Sequence, residues 1–140
     1  SYVNIVDEGI DIAIRFGELS DSTLRVRNLA ANTRIVCAAP SYLDTHGTPT
    51  TPEDLNQHNC IVMRFGSGLD NLWTFSEGKQ LREVAVSGNR IANDGSLAHQ
   101  WCLEGHGILL KSIWDVGHEI QSGQLVHTFG WYFHPAGINP

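Results

Sequence analysis

Basic residues are scarce in this chain of 140 residues, which carries 9 Lys and Arg against 15 Asp and Glu and a formal net charge of −6. A surface that binds nucleic acid needs clustered Lys and Arg to neutralise phosphates, so we do not expect this chain to bind DNA by itself. Long apolar runs are also lacking, since none approaches the ~20 residues that span a bilayer. The first residues show no basic segment followed by an apolar one. These absences predict a cytoplasmic protein without a membrane partner.

Cysteine occurs only as Cys37, Cys60 and Cys102, each within or beside a separate apolar segment. This distribution suits small buried side chains in a reducing compartment better than a disulfide framework. We therefore predict no disulfide among the three. A small hydrolase that uses Cys37 or Cys102 with a histidine is an alternative, but neither cysteine lies in a recognised nucleophile turn.

Histidine is more common, with 7 residues, but the spacings that build metal sites are absent. No Cys-x-x-Cys and no His-Glu-x-x-His occurs, and structural zinc prefers such paired ligands. The glycine loop at 66–68 lacks the lysine and the strand-to-helix context of a phosphate-binding loop. The sequence predicts neither a metal nor a cofactor, and no catalytic residue.

The segment 93–111 contains the most information, because it reads as a helix start, a short helix, a glycine stop and a buried strand. Asn93 or Asp94 can cap the first turn, and Gly105 with Gly107 ends the helix before an apolar run. Leu97, Trp101 and Cys102 recur at helical spacing. A helix N-terminus beside a sheet gathers free amides and partial positive charge, so it can bind a carboxylate or another small anion.

Strand and helix patterns alternate along the rest of the chain, which predicts an α/β sheet with a parallel centre and an antiparallel edge hairpin. A helix is expected after Pro40, and another at Pro52 with Thr51 as its N-cap. Segment 112–121 has the pattern of an amphipathic helix with Ile113, Val116 and Ile120 inward. No element is evident in 130–140. The predicted strands are 10–16, 24–29, 33–39, 60–65, the hairpin 72–76 with 81–87, 108–110 and 124–129.

Seven short motifs, in this order and spacing, resemble the effector-binding region of LysR-type transcriptional regulators. They lie at 11–17 (Asp-Ile-Ala-Ile-Arg-Phe-Gly), 37–43, 47–55, 58–60, 73–75, 93–95 and 105–110 (Gly-His-Gly-Ile-Leu-Leu). The resemblance runs from about residue 7 to residue 129. At Lys111 it departs from the family, many of whose members carry a proline there.

The resemblance implies an α/β fold of the type 2 periplasmic-binding-protein kind, in which flavodoxin-like subdomains with mixed sheets and flanking helices enclose a ligand cleft. Residues 1–35 would be a fragment of the first subdomain with the first crossing strand. Residues 36–128 would form the second subdomain, and 129–140 a return segment or tail. The family's DNA-binding domain would lie outside this chain, so DNA would be contacted only through it.

The implied function is the sensing of a small metabolite, expected to be an anion, by a regulator that is not an enzyme. Candidate anion-binding residues are the amides at Gly95 and Ser96 and the guanidinium groups of Arg15 and Arg64, each at the end of a predicted strand. A solvated arginine, or one paired with Asp11 or Asp94, is an equal alternative. The full set of ligand-binding candidates is Arg15, Phe16, Arg64, Phe65, Asn93, Asp94, Gly95 and Ser96.

A second copy of the chain is an expected partner. An unpaired edge at strand 10–16 and exposed apolar surface predict a homo-oligomer, either a dimer or a tetramer.

The alternative function is a fragment of a transporter's solute-binding protein, which shares the fold. The sequence upstream of residue 1 would distinguish the two, since a regulator carries a helix-turn-helix there and a secreted binding protein a signal peptide.

Overall fold

The computed structural model describes residues 33–130 and 132–133. The predicted strands 10–16 and 24–29, with Arg15 and Phe16, lie outside the described residues. The described elements follow in this order: β1 Arg34–Ala38, α1 Pro40–His46, a 3₁₀ helix Pro52–Gln57, β2 Val62–Phe65, β3 Gly68–Asp70, β4 Leu72–Glu77, β5 Gln80–Ala85, β6 Ile91–Ala92, α2 Gly95–Leu103, β7 Leu109–Ser112, α3 Ile113–Ser122, β8 Val126–His127 and β9 Tyr132–Phe133.

The main layer is a mixed sheet assembled from two three-stranded pieces. β2 runs parallel to β6 on one side and antiparallel to β3 on the other. A parallel bridge between Cys60 and Ile108 then places the approach to β2 beside the approach to β7. β1 lies antiparallel between β7 and β8. The sequence predicted a parallel centre, and β6, β2 and β7 do run parallel to one another. The prediction is wrong for β1, which runs antiparallel to β7 and therefore begins at the edge where the other three strands end.

The predicted hairpin is present as β4 and β5, with Gly78 in its turn at a φ of 62°. It is not the edge of the main sheet, however. β9 pairs with the outer side of β4, which makes a separate sheet in the order β5-β4-β9. The segment 130–140 was expected to hold no element, and β9 corrects that expectation. β9 has only 2 residues and is fixed by pairing with β4, which is distant in the sequence, so its own residues show no strand pattern.

Two apolar clusters cover opposite faces of β1. Ile35 and Cys37 point to the side of α2 and α3, where they pack with Ile113 and other apolar side chains. Val36 and Ala38 point to the other side, towards α1, the 3₁₀ helix and the hairpin sheet. Strict alternation along one strand thus joins two layers of packing on either side of the main sheet.

Local signals set most helix ends. Thr51 accepts a hydrogen bond from the Asp54 amide, and the Asp54 carboxylate reaches back to the Thr51 amide, a reciprocal capping box.

α3 buries Ile113 and Val116 and packs Ile120 against the core, as predicted.

Of the three apolar residues at helical spacing in α2, only Cys102 is buried. Ala98 and Cys102 are buried there, whereas Leu97 is 39% exposed and Trp101 is half-buried. Small side chains at these two positions let the helix approach β1 so closely that the Cys102 thiol lies 3.7 Å from the Cys37 carbonyl oxygen. All three cysteines are buried and free, which confirms the prediction of no disulfide.

Candidate functional site

The carboxyl ends of β2, β6 and β7 meet at one edge of the main sheet, because these strands are parallel. Arg64 and Phe65 end β2, Asn93 and Asp94 follow β6, and Lys111 lies near the end of β7. In open α/β sheets, ligands bind outside the carboxyl ends of parallel strands. The topology therefore brings the described site candidates to the edge where a ligand site is expected.

Asp94 is the N-cap of α2. The sequence had left open whether Asn93 or Asp94 takes this position. Its carboxylate accepts a hydrogen bond of 2.9 Å from the Ser96 amide, and its carbonyl accepts the first helical bond from Ala98. The cap thus uses the Ser96 amide, one of the two predicted as anion donors. The Gly95 amide is not used by the cap.

An open pocket of about 450 Å³ lies between the start of α2, the end of β7 and the start of α3. Three of the predicted residues line it, together with three that were not predicted. The lining residues are Asp94, Gly95, Ser96, His99, Lys111 and Asp115.

Lys111 places a cation at the first turn of α2. Its ammonium group donates a hydrogen bond of 3.3 Å to the Gly95 carbonyl oxygen. A methyl group at Gly95 would lie 2.8 Å from the same nitrogen, so the glycine leaves room for the ammonium. A cation beside the positive end of a helix is unfavourable in itself. The carboxylates of Asp94 and Asp115 in the same pocket offset part of this repulsion.

His99 connects the pocket to α3. Its Nε2 lies 3.6 Å from Oε2 of Glu119, and both side chains are mostly buried. The other carboxylate oxygen of Glu119, Oε1, is buried without a hydrogen-bond partner. Buried polar atoms usually have a partner, so this oxygen marks an unmet demand for positive charge or a donor.

The remaining described candidates share the edge but do not line the pocket. Arg64 is exposed opposite Leu69 of β3, and Phe65 is 59% exposed. No ion pair joins Arg64 to Asp94 within the described residues, so that alternative is not supported. Trp73 is 2% exposed and belongs to the core, not to the pocket.

Sequence reasoning missed Lys111, His99 and Asp115. Lys111 follows the apolar run 108–110 directly, which is the same strand-end signal that selected Arg64. His99 and Asp115 stand out in no local pattern, since each occupies an ordinary polar helix position. Within the part of the chain that the structure describes, no group of His, Cys, Asp and Glu is arranged to hold a metal ion. No helix among the described residues is long and apolar enough to cross a membrane.

A family model described as the LysR substrate binding domain matches residues 2–137. The chain belongs to this family. Among curated relatives, the HTH-type transcriptional regulator DmlR of Escherichia coli K12 is 38% identical over 136 residues, which is 97% of this chain and 44% of that protein. CrgA of Neisseria meningitidis serogroup B is 36% identical over 125 residues, 89% of this chain and 41% of that protein.

Solved structures agree with this membership. The CrgA regulatory domain from Neisseria meningitidis matches with a TM-score of 0.60 at 30% identity, over 69% of this chain and 46% of that one. The regulatory domain of the C227S variant of AphB from Vibrio vulnificus matches with a TM-score of 0.64 at 25% identity, over 74% and 55%. These LysR regulatory domains have the type 2 periplasmic-binding-protein-like fold, which confirms the predicted fold class.

The chain spans less than half the length of the curated relatives, 44% of DmlR. Those relatives are named as transcriptional regulators and not as enzymes or transport components. They therefore do not favour the alternatives of a solute-binding protein or a hydrolase.

Proposed function

We propose that this chain is the ligand-sensing module of a bacterial LysR-type regulator, which binds a small anionic metabolite in a cleft at the carboxyl edge of the main sheet. DNA is contacted by a domain outside this chain, and the full protein works in the cytoplasm as a homo-oligomer. The role of the chain is to convert ligand concentration into a change of protein arrangement.

The observation that carries the proposal is the convergence of Lys111 and the start of α2 on one pocket at this edge. The topology of the sheet supports this edge as the place of the site, and family membership supports a ligand-binding role for the domain.

An anion is the ligand class that these groups favour. The ammonium group of Lys111 supplies a full positive charge, and the Gly95 amide adds a donor at the positive end of a helix. Asp94 and Asp115 are acceptors in the same pocket. A bare anion would leave Asp115 facing negative charge, so the ligand is expected to carry a donor group, such as a hydroxyl, beside its carboxylate.

Signalling follows from differential binding. A ligand shifts an equilibrium between two arrangements only by the difference between its affinities for them. The described part of the pocket is formed by α2, β7 and α3. Arg15 and Phe16 stay predicted ligand-binding residues by the resemblance to the family, and they lie outside the described residues.

The test replaces Lys111 by Gln in the full-length protein, with Lys79→Gln as the matched control. Lys79 is an exposed lysine in the β4–β5 turn and does not line the pocket. Loss of one charge-assisted hydrogen bond should raise the effector concentration for half-maximal response about tenfold or more. Basal DNA affinity should not change in either variant, because the lysine belongs to the sensing module.

Arg64→Ala completes the series, because Arg64 shares the edge but not the pocket wall. A weakened effector response in this variant would extend the ligand site to the end of β2, as the sequence predicts. An unchanged response in Lys111→Gln would remove the pocket from the proposal. Loss of basal DNA binding would instead assign Lys111 a structural role.

A further inference from the structure

The pocket holds opposite charges that do not neutralise each other. Lys111 lies near the end of β7, and Asp115 lies in the first turn of α3, which follows β7 directly. Within the part of the chain that the structure describes, no ion pair joins Lys111 to Asp115 or to Asp94. A cation and a carboxylate therefore line the same space without contacting each other.

The hydrogen bond of Lys111 accounts for this separation. The ammonium group donates to the Gly95 carbonyl oxygen at 3.3 Å, which anchors it at the first turn of α2. Asp115 belongs to a different helix, α3. An ammonium group carries three hydrogens, so donors of Lys111 remain for a ligand after the bond to Gly95 is made.

Asp115 is the uncommitted carboxylate of the pocket. Its side chain is exposed and forms no hydrogen bond or ion pair with any of the described residues. Asp94 differs, because one of its oxygens accepts the Ser96 amide at 2.9 Å and caps α2. The acceptor capacity of Asp115 is thus fully available to a molecule in the pocket.

Helix physics also gives Asp115 a structural reason for its position. A negative charge in the first turn of α3 is favoured by the partial positive charge of the helix start. That stabilisation is the same whichever ligand is bound. Selectivity between ligands is therefore the property that separates a binding role of Asp115 from a purely structural one.

The balance of charge in the lining disfavours a ligand that is only an anion. Asp94 and Asp115 together outnumber the single ammonium group of Lys111. A plain carboxylate is attracted by Lys111 and repelled by Asp115, with nothing to compensate the repulsion. A donor group on the same ligand removes this conflict, because it gives the Asp115 oxygens a hydrogen-bond partner.

We propose that Asp115 is a specificity-determining residue that selects ligands with a hydrogen-bond donor on the carbon next to their carboxylate. Lys111 binds the carboxylate, and Asp115 accepts a hydrogen bond from a neighbouring hydroxyl or ammonium group. The ligand class is then the 2-hydroxy or 2-amino carboxylic acids. The inference rests on the proposed function, since it names the class of ligand for the same pocket.

The experiment measures the binding of propionate, lactate and alanine to the full-length protein by isothermal titration calorimetry at neutral pH. The three acids share their carbon chain and carboxylate, and differ in the group on the second carbon, which is hydrogen, hydroxyl or ammonium. The heat attributable to the pocket is the part that Lys111→Gln abolishes. We expect lactate or alanine to bind about fivefold tighter or more than propionate, because a site built for a donor rejects the analogue without it. The preferred acid identifies the donor as a hydroxyl or an ammonium group.

Asp115→Ala should change the affinities in opposite directions. The preferred acid loses its acceptor and should bind about fivefold more weakly, whereas propionate escapes the repulsion and should bind about twofold more tightly. Asp115→Asn keeps the size of the side chain and an acceptor oxygen, which covers the case that Asp115→Ala fails to fold. It should weaken a preference for the ammonium group more than one for the hydroxyl.

The matched control is Asp44→Ala. Asp44 is an exposed helical aspartate on α1 that does not line the pocket. Its variant should retain the wild-type order of the three affinities.

The outcomes separate this inference from the proposed function. Equal affinities for the three acids in the wild type, with heat that depends on Lys111, would overturn the selection by Asp115 and leave the anion site in place. A preference that survives in Asp115→Ala would overturn it as well and point to Asp94. A parallel fall of all three affinities in that variant would leave Asp115 only a structural role. Heats that do not depend on Lys111 for any of the acids would overturn the anion site, and the selection with it.

Discussion

Replacement of Gly95 by alanine should separate ligand binding from stability. Gly95 is the first residue of α2, and its φ is not among the positive values of the described glycines. Alanine fits such a backbone, and the loss of freedom in the unfolded chain should raise the free energy of unfolding by about 0.5 kcal/mol. The new methyl carbon would lie 2.8 Å from the Lys111 ammonium nitrogen. Ordinary contacts of this kind need roughly 3.5 Å, so the flexible lysine must move away.

That displacement should break the 3.3 Å hydrogen bond from Lys111 to the Gly95 carbonyl and spoil the cation's position in the pocket. We expect anion affinity to fall about threefold to tenfold, which corresponds to roughly 0.7 to 1.4 kcal/mol. Urea unfolding and sulfate calorimetry on the same preparation measure the two opposite effects. Gly68→Ala is the control, because its methyl carbon would meet no atom closer than 3.8 Å. Unchanged sulfate affinity in Gly95→Ala would refute the assigned role of Lys111.

Three further predictions concern stability and reactivity. Thr51→Ala removes the capping box of the 3₁₀ helix and should cost about 1 kcal/mol in urea unfolding, whereas Thr51→Ser should retain most of it. Burial lowers the pKa of His58, so the folded state prefers the neutral ring, and its contribution to stability should be lost as the pH falls below about 6.5. Urea unfolding of His58→Gln should show a shallower loss between pH 7 and pH 5; an identical slope would exclude His58 as the cause. Burial raises the pKa of Cys60 to about 12, and Cys37 is fully buried, so iodoacetamide at pH 8 should label neither before unfolding. Mass spectrometry of the native protein tests this, and native labelling of either thiol would contradict the packing.

The physical basis of the His58 prediction is burial of the ring, with the nearby His46 as a second cause of the lowered pKa. The Tyr42 hydroxyl accepts a hydrogen bond from the Asn59 amide at 3.0 Å and lies 2.8 Å from Nδ1 of His58. A neutral ring can accept the hydroxyl proton at Nδ1, whereas a protonated ring would need the hydroxyl to turn its hydrogen away and accept a second bond.

Elements with local causes could be predicted from the sequence. The 3₁₀ helix was anticipated because Thr51, Pro52 and Asp54 fix its start within four residues. The end of α2 was anticipated from Gly105, whose φ of 84° favours glycine. In both cases the physical cause lies within a few residues of the element it determines, so the sequence displays it directly.

Features that depend on distant chain segments could not be predicted in this way. β9 exists because it pairs with β4, and the buried face of α2 is set by the approach of Cys102 to Cys37. The predicted site shows the same division. Asp94 to Ser96 were found through local capping chemistry, whereas His99 enters the pocket only because the fold sets α2 beside β7.

Lys111 is the residue whose placement is hardest to explain by stability alone. An apolar residue would continue the buried run 108–110, and a cation gains nothing from the positive end of α2. The carboxylates of Asp94 and Asp115 soften this conflict, but Asp94 is already engaged as the helix cap. Local conflicts of this kind occur in natural proteins mainly at functional sites, where a ligand completes the balance of charge. Under the proposed function, a carboxylate of the ligand contacts Lys111 at the start of α2, and a donor group of the same ligand faces Asp115.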